Sequence, residues 1–198
     1  MIALLLFILI SSVSAQEETL LADGEVVHGG FGGPVIKFAQ IYDNFGVLVG
    51  GRGGWIINHC FSIGGGGYGL ANNIDGTKMF DGKKMLLNFG YGGFEMEYIA
   101  DWDKLIHFSF SCLIGAGAVS HRRNWDDDWD DWDDDAEHEA DVFFVAEPAA
   151  NIELNIISFF RINLGAGYRF ISGVNENNLK NADFAGPSVN LTFKFGKF

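Results

Sequence analysis

The residues best able to do chemistry in this chain form one run, Trp125-Asp126-Asp127-Asp128-Trp129-Asp130-Asp131-Trp132-Asp133-Asp134-Asp135-Ala136-Glu137-His138-Glu139. Clustered carboxylates hold hard cations through oxygen ligands. Asp126, Asp127, Asp128, Asp130, Asp131, Asp133, Asp134 and Asp135 are therefore the candidate metal ligands. The spacing lacks the D-x-D-x-D-G order and the central glycine of an EF-hand loop, so the expectation is weak Ca²⁺ or Mg²⁺ binding and no resident cofactor. Trp125, Trp129, Trp132, Ala136 and Ala140 follow i, i+4, i+7, i+11 and i+15, which would put three indoles on one helical face. Asp is a poor helix former and like charges repel, so such a helix needs cations or a basic partner to form. Without them the run is a solvated, self-repelling loop. Trp125, Trp129 and Trp132 are thus candidate contacts for a surface partner.

Two other patterns carry a chemical reading. Gly64-Gly65-Gly66-Gly67-Tyr68-Gly69 satisfies G-x-G-x-x-G, but Asn72-Asn73-Ile74-Asp75-Gly76 after it reads as a turn and not as the helix a phosphate site requires. Close-packed strand glycines are the better reading. Cys60 and Cys112 are expected as free thiols, because a strand separates them and a disulfide needs Cα atoms within about 7 Å.

Eleven of the chain's 26 acidic side chains fall between Asp126 and Asp141, so the other 15 nearly balance the 13 basic ones. The net charge of -13 therefore belongs to one segment. Scattered Lys and Arg exclude a generic nucleic-acid binder. With 48% hydrophobic residues, 27 Gly and 19 Phe, the composition suits strands better than helices. Residues 1–15, MIALLLFILISSVSA, form an uncharged apolar run ending in small residues, which is the pattern of a secretory signal peptide. Residues 16–24 are expected to be a short periplasmic segment, and 25–198 a single domain.

That domain alternates with period two. Phe160, Ile162, Leu164, Ala166, Tyr168 and Phe170 share one face, and Arg161, Asn163, Gly165, Gly167 and Arg169 share the other. The same rhythm sets Ile106 to Ala118 against His107 to Gly117, and Phe144 to Leu154 against Glu147, Asn151 and Glu153. Leu87, Phe89 and Tyr91 give way to Phe94, Met96 and Tyr98, which predicts a bulge at Gly92-Gly93. Eight strands result, at 25–40, 44–57, 60–71, 85–99, 105–119, 141–154, 159–173 and 184–197. Connections after the second, fourth and sixth are short; those after the third, fifth and seventh are long and polar. Each strand suffices to span a bilayer when tilted, where about 9 to 11 residues are needed.

The fold class expected is all-β, a transmembrane antiparallel up-and-down barrel of eight strands with an acidic outside loop at 121–141. Arg52, Glu147, Glu153, Arg161 and Arg169, with Lys194 on the same face, should fill its interior. The apolar, aromatic face should meet lipid. Trp55, Tyr98, Trp102 and Phe159 are placed at the periplasmic rim, and Tyr42, Phe45, Phe143, Tyr168, Phe170 and Phe184 at the outer rim. In its signal segment, eight alternating strands, Gly-aromatic motifs (62–69, 113–119, 164–170) and terminal Phe198, the chain resembles the small outer-membrane β-barrel proteins, OmpA/OmpX-like in the broad sense. That resemblance implies a Gram-negative type outer membrane, contact with its lipids, and assembly by the barrel-insertion machinery.

The function expected is structural, adhesive or surface-interacting, with an unknown surface partner. A small pore for ions or solutes is the alternative, since the inward ions could line a channel. A lipid-modifying enzyme is the second: His107-Phe108-Ser109 is similar to the His-x-Ser pair of outer-membrane lipid A deacylases. The pair should lie low on its strand and point inward, away from the outer leaflet, so no enzyme is expected.

Overall fold

A computed structural model describes residues 26–80, 82–122, 140–175 and 179–198. The signal segment, residues 16–24, the candidate Asp ligands and the Trp stripe lie outside the described residues. Among the described residues nine strands form: β1 His28–Ile41, β2 Asn44–Ile57, β3 Phe61–Leu70, β4 Asp75–Phe80, β5 Lys83–Ile99, β6 Ile106–Arg122, β7 Asp141–Ile157, β8 Phe160–Ser172 and β9 Gly186–Lys197, with a one-turn helix α1 at Asn181–Phe184. Every neighbouring pair is antiparallel, β9 returns to β1, and β3 pairs with β5, so eight staves close into a barrel. Closure pairs the backbone polar groups that an open edge would leave bare in lipid.

The ninth strand corrects the turn read at 72–76. Asp75 and Gly76 already belong to β4, which carries the third stave onward along β5 alone, Asp75 opposite Leu86. The interruption at 71–74 has a physical cause. The Asn72 side chain accepts from Val47 N (2.7 Å) and donates to Phe45 O (2.9 Å), standing in for the strand that β2 loses there. Gly76 is required next, because a Cβ on it would run into the His121 ring.

No bulge occurs at Gly92-Gly93. The β5–β6 register runs unbroken from Leu86↔Arg122 to Ile99↔Ser109. Leu87, Phe89 and Tyr91 point inward, as do Glu95 and Glu97 farther along the same strand, while Phe94, Met96 and Tyr98 point out. What changes along β5 is the chemistry of the interior, not the phase of the strand. The outer half of the barrel is filled by an apolar core that includes Ile41, Leu48, Leu87, Phe89, Val119, Phe143, Val145 and Phe184. The other half is filled by charge.

The same division moves two residues from the expected outer girdle. Phe143 and Phe184 lie buried inside, stacked against Phe89 with centroids at 5.3 and 5.1 Å. Residues 179–185 fold back over the outer mouth: Arg169 Nε donates to Phe184 O (2.7 Å), and Tyr42 N donates to Asp183 O (2.7 Å). Phe45, Tyr168 and Phe170 do face outward, as do Trp55, Tyr98, Trp102 and Phe159 at the opposite end. The exposed apolar set, with Phe38, Phe94, Phe108, Phe110, Phe144 and Phe195, is far more than a water-facing surface tolerates as a continuous band.

Candidate functional site

Period-two alternation delivers every second side chain of each stave to the interior, so charges far apart in sequence meet there. Arg52, Glu147, Glu153, Arg161 and Arg169 are all buried inside, as the alternation predicts, and Lys194 joins them. Lys37, Glu95 and Glu97 complete the set. They went unread as interior groups, although Glu95 and Glu97 alternate with Phe94, Met96 and Tyr98 and the signal was there. Five cations thus face four carboxylates.

Two linked clusters result. Glu97 and Glu153 are joined by Lys194, whose ammonium lies 2.8 Å from both Glu97 oxygens and also contacts Glu153 Oε1. Arg52 reaches Glu97 (2.7 Å) and Glu95 (2.5 Å). Ser109 donates to Glu97 Oε1 (2.7 Å), Asn163 donates to Glu153 Oε1 (3.0 Å), and Arg161 lies 3.7 Å from Glu153. Nearer the outer end, Glu147 takes Lys37 (2.6 Å), the Tyr91 hydroxyl (2.7 Å) and the Ser188 hydroxyl (2.6 Å). The Lys37 ammonium also sits over the Tyr68 ring, 3.7 Å from its centroid. Arg169 is held by carbonyls and by the faces of Phe89 and Tyr91. Glu97, Glu147 and Glu153 each accept from several donors, which is what allows buried charges to persist, whereas among the described residues Glu95 accepts only from the Tyr68 hydroxyl (3.4 Å) beside its Arg52 ion pair.

Little space is left between these groups. A cavity of about 10 Å³ lies between Lys37, Arg52, Tyr68, Glu95, Glu147 and Asn190, room for roughly one water. At the inner mouth the Arg161 guanidinium lies 4.1 Å from the centroid of the Phe198 ring, so the terminal aromatic, out of phase with Phe193 and Phe195, covers the ionic column from below.

His107 and Ser109 both belong to this column and not to a lipid-facing site. His107 places Nε2 3.3 Å from Glu153 and Nδ1 3.3 Å from the Lys104 carbonyl, and the Ser109 hydroxyl is committed to Glu97. A nucleophile must reach its substrate; these two are sealed at 2% and 0% exposure. Cys60 and Cys112 are free thiols. Among the described residues no group of three or more His, Cys, Asp or Glu is arranged to hold a metal ion. In the turn below β5, Asp101 bonds Lys104 (2.7 Å) and holds its ammonium above the usual lysine range.

Solved structures of similar shape follow from this geometry. The chain superposes on Neisserial surface protein A with a TM-score of 0.56 at 11% identity, covering 88% of this chain and 100% of that one. It superposes on the N-terminal β-barrel domain of Pseudomonas aeruginosa OprF with a TM-score of 0.55 at 8% identity, covering 85% and 96%. Against Ail, the attachment invasion locus protein of Yersinia pestis, in complex with the heparin analogue sucrose octasulfate, the TM-score is 0.50 at 11% identity, covering 87% and 99%. The fold is that of the small eight-stranded outer-membrane barrels. At these identities the likeness is one of architecture, and architecture alone does not name an activity. No protein-family model and no curated protein matches the chain in sequence.

Proposed function

We propose that this chain is an outer-membrane barrel of a Gram-negative type envelope, acting as a structural and surface-interacting scaffold and not as a pore or an enzyme. The observation that carries the reading is the contrast between its two faces: an apolar, aromatic exterior and an interior closed by ion pairs and stacked phenyl rings. Eight strands leave an interior just wide enough for side chains, and here side chains fill it. Specificity then falls to the loops at the outer end. The acidic run 126–141 is their most distinctive feature; its aspartates bind Ca²⁺ or Mg²⁺ weakly, and Trp125, Trp129 and Trp132 dock on a cationic surface partner. Ail was crystallised with an anionic heparin analogue; a loop this acidic favours the opposite charge. Membrane lipids and the barrel-insertion machinery are the remaining partners.

Two measurements test this. Folded protein in planar bilayers should give no stepwise conductance, and discrete openings would return the pore reading. Capture of surface partners with full-length chain and with a variant lacking residues 124–141 should differ in the proteins retained; identical sets would remove the loop from the account.

A further inference from the structure

The outward face of β1 has a gap. At the end of the barrel that holds both β1's start and β9's finish, other staves present large apolar groups to lipid, Phe193 and Phe195 on the neighbouring β9 and Phe108 and Phe110 on β6 across the barrel. At the same end β1 presents Gly30 and Gly32. Gly30 lies opposite Trp55 on β2 and opposite Lys197 on β9, so the three form one row across the wall. Two strand spacings separate Trp55 from Lys197, which makes the slot about 10 Å wide, floored by backbone alone. One side is an exposed Trp55 indole stacked on the exposed His28 ring, centroids 5.4 Å apart. The other is the exposed Lys197, which forms no ion pair among the described residues.

Neither glycine is there because a side chain would clash. A Cβ on Gly32 would meet nothing within 4 Å, and one on Gly30 would only touch Gly54 O at 3.5 Å. Elsewhere on the same strand Gly33 has no such freedom, since its Cβ would strike the Phe193 carbonyl. The bare floor is therefore not a packing requirement of the wall. An ammonium and an indole at the edge of an apolar belt, facing each other across empty backbone, match a lipid whose phosphate stands at the interface and whose chains run down the wall.

We propose that this slot holds the phosphodiester headgroup of an anionic phospholipid from the periplasmic leaflet, paired with Lys197, flanked by the Trp55–His28 stack, its first acyl carbons lying over Gly30 and Gly32. The proposal rests on the outer-membrane reading above. The test is native mass spectrometry of the full chain in detergent, titrated with phosphatidylglycerol or with diacylglycerol of the same chains. Wild type should retain phosphatidylglycerol about fivefold more than diacylglycerol, the effect of roughly one basic side chain at a membrane surface. Lys197→Gln should bring that ratio close to one, and Gly32→Leu, which fills open space, should lower it without unfolding the barrel. Excess inorganic phosphate should not displace the lipid; displacement would make this an ion site and overturn the lipid assignment. Equal retention of the two lipids by wild type, or unchanged ratios in both variants, would also overturn it. Heat-modifiable gel migration of the same samples separates the two readings. A shift without lipid preference sinks only the slot, whereas no shift together with solubility in plain buffer sinks the membrane barrel itself.

Discussion

Lys194 bridges Glu97 and Glu153 at 1% exposure, with Arg52 and Ser109 on the first and Asn163 and His107 on the second. Lys194→Met removes the cation and leaves two carboxylates facing each other away from water. The loss should be about 3 kcal/mol, read by urea unfolding in detergent micelles, because a buried pair broken on one side leaves an uncompensated charge. Asp101→Asn, which breaks an exposed pair with Lys104, should change stability by less than about 0.5 kcal/mol in the same assay. The difference between the two substitutions is one of solvent and not of distance. Six of the interior ions were legible from alternation alone, since Arg52, Glu147, Glu153, Arg161, Arg169 and Lys194 each interrupt an apolar rhythm. Which carboxylate meets which cation was not legible, because, apart from Arg161 and Glu153, those partners lie 41 to 110 positions apart and register decides the match.

At the scale of the strand, glycine has two meanings in this wall. Gly115 on β6 faces inward, and a Cβ on it would strike the Gly92 carbonyl; Gly67 on β3 faces outward with nothing within 4 Å. Gly115→Ala should therefore cost about 2 kcal/mol through overpacking. Gly67→Ala should be neutral or slightly stabilising, since alanine narrows the unfolded ensemble. Equal effects, measured by thermal gel-shift midpoints, would refute this division. The eight staves were readable because period two survives even when half the positions are glycine. The bulge expected at Gly92-Gly93 failed for a specific reason. Leu87, Phe89 and Tyr91 are as apolar as Phe94, Met96 and Tyr98, and a pattern of hydrophobicity cannot distinguish an apolar core from lipid. The end of β3 failed similarly: Asn72-Asn73 reads as a turn, but the Asn72 side chain completes β2's bonding and the stave resumes at Asp75.

For the molecule as a whole, two plugs in series separate the two mouths, the ring stack around Phe89 and the ion column beneath it. Phe184→Ala should lower stability by about 3 kcal/mol, as truncation of a buried phenyl does. It should still give no conductance in planar bilayers, because the ionic layer stays closed. Removing residues 124–139 should leave heat-modifiable migration unchanged, since β6 and β7 remain in register from Ile106↔Leu154 to Val119↔Asp141. The apolar fraction of the chain is shared between lipid and this outer plug. Phe143 and Phe184 showed where the division had been misread: both lie near the outer rim in sequence, but Phe143 keeps the inward phase of Glu147 and Glu153, and Phe184 lies on α1, ahead of the strand rhythm of β9.

The glycines of β2, β3 and β5 meet one another across the ladder, Gly53 on Gly65, Gly51 on Gly67 and Gly67 on Gly92. Along that sector the outer skin is peptide alone, while elsewhere it is thickened by rings and branched side chains. A cylinder built this way has one compliant line. When the bilayer around it is compressed or thinned, bending should concentrate there, so the cross-section turns oval along a fixed axis and the stiffer staves of β6 to β9 keep their shape.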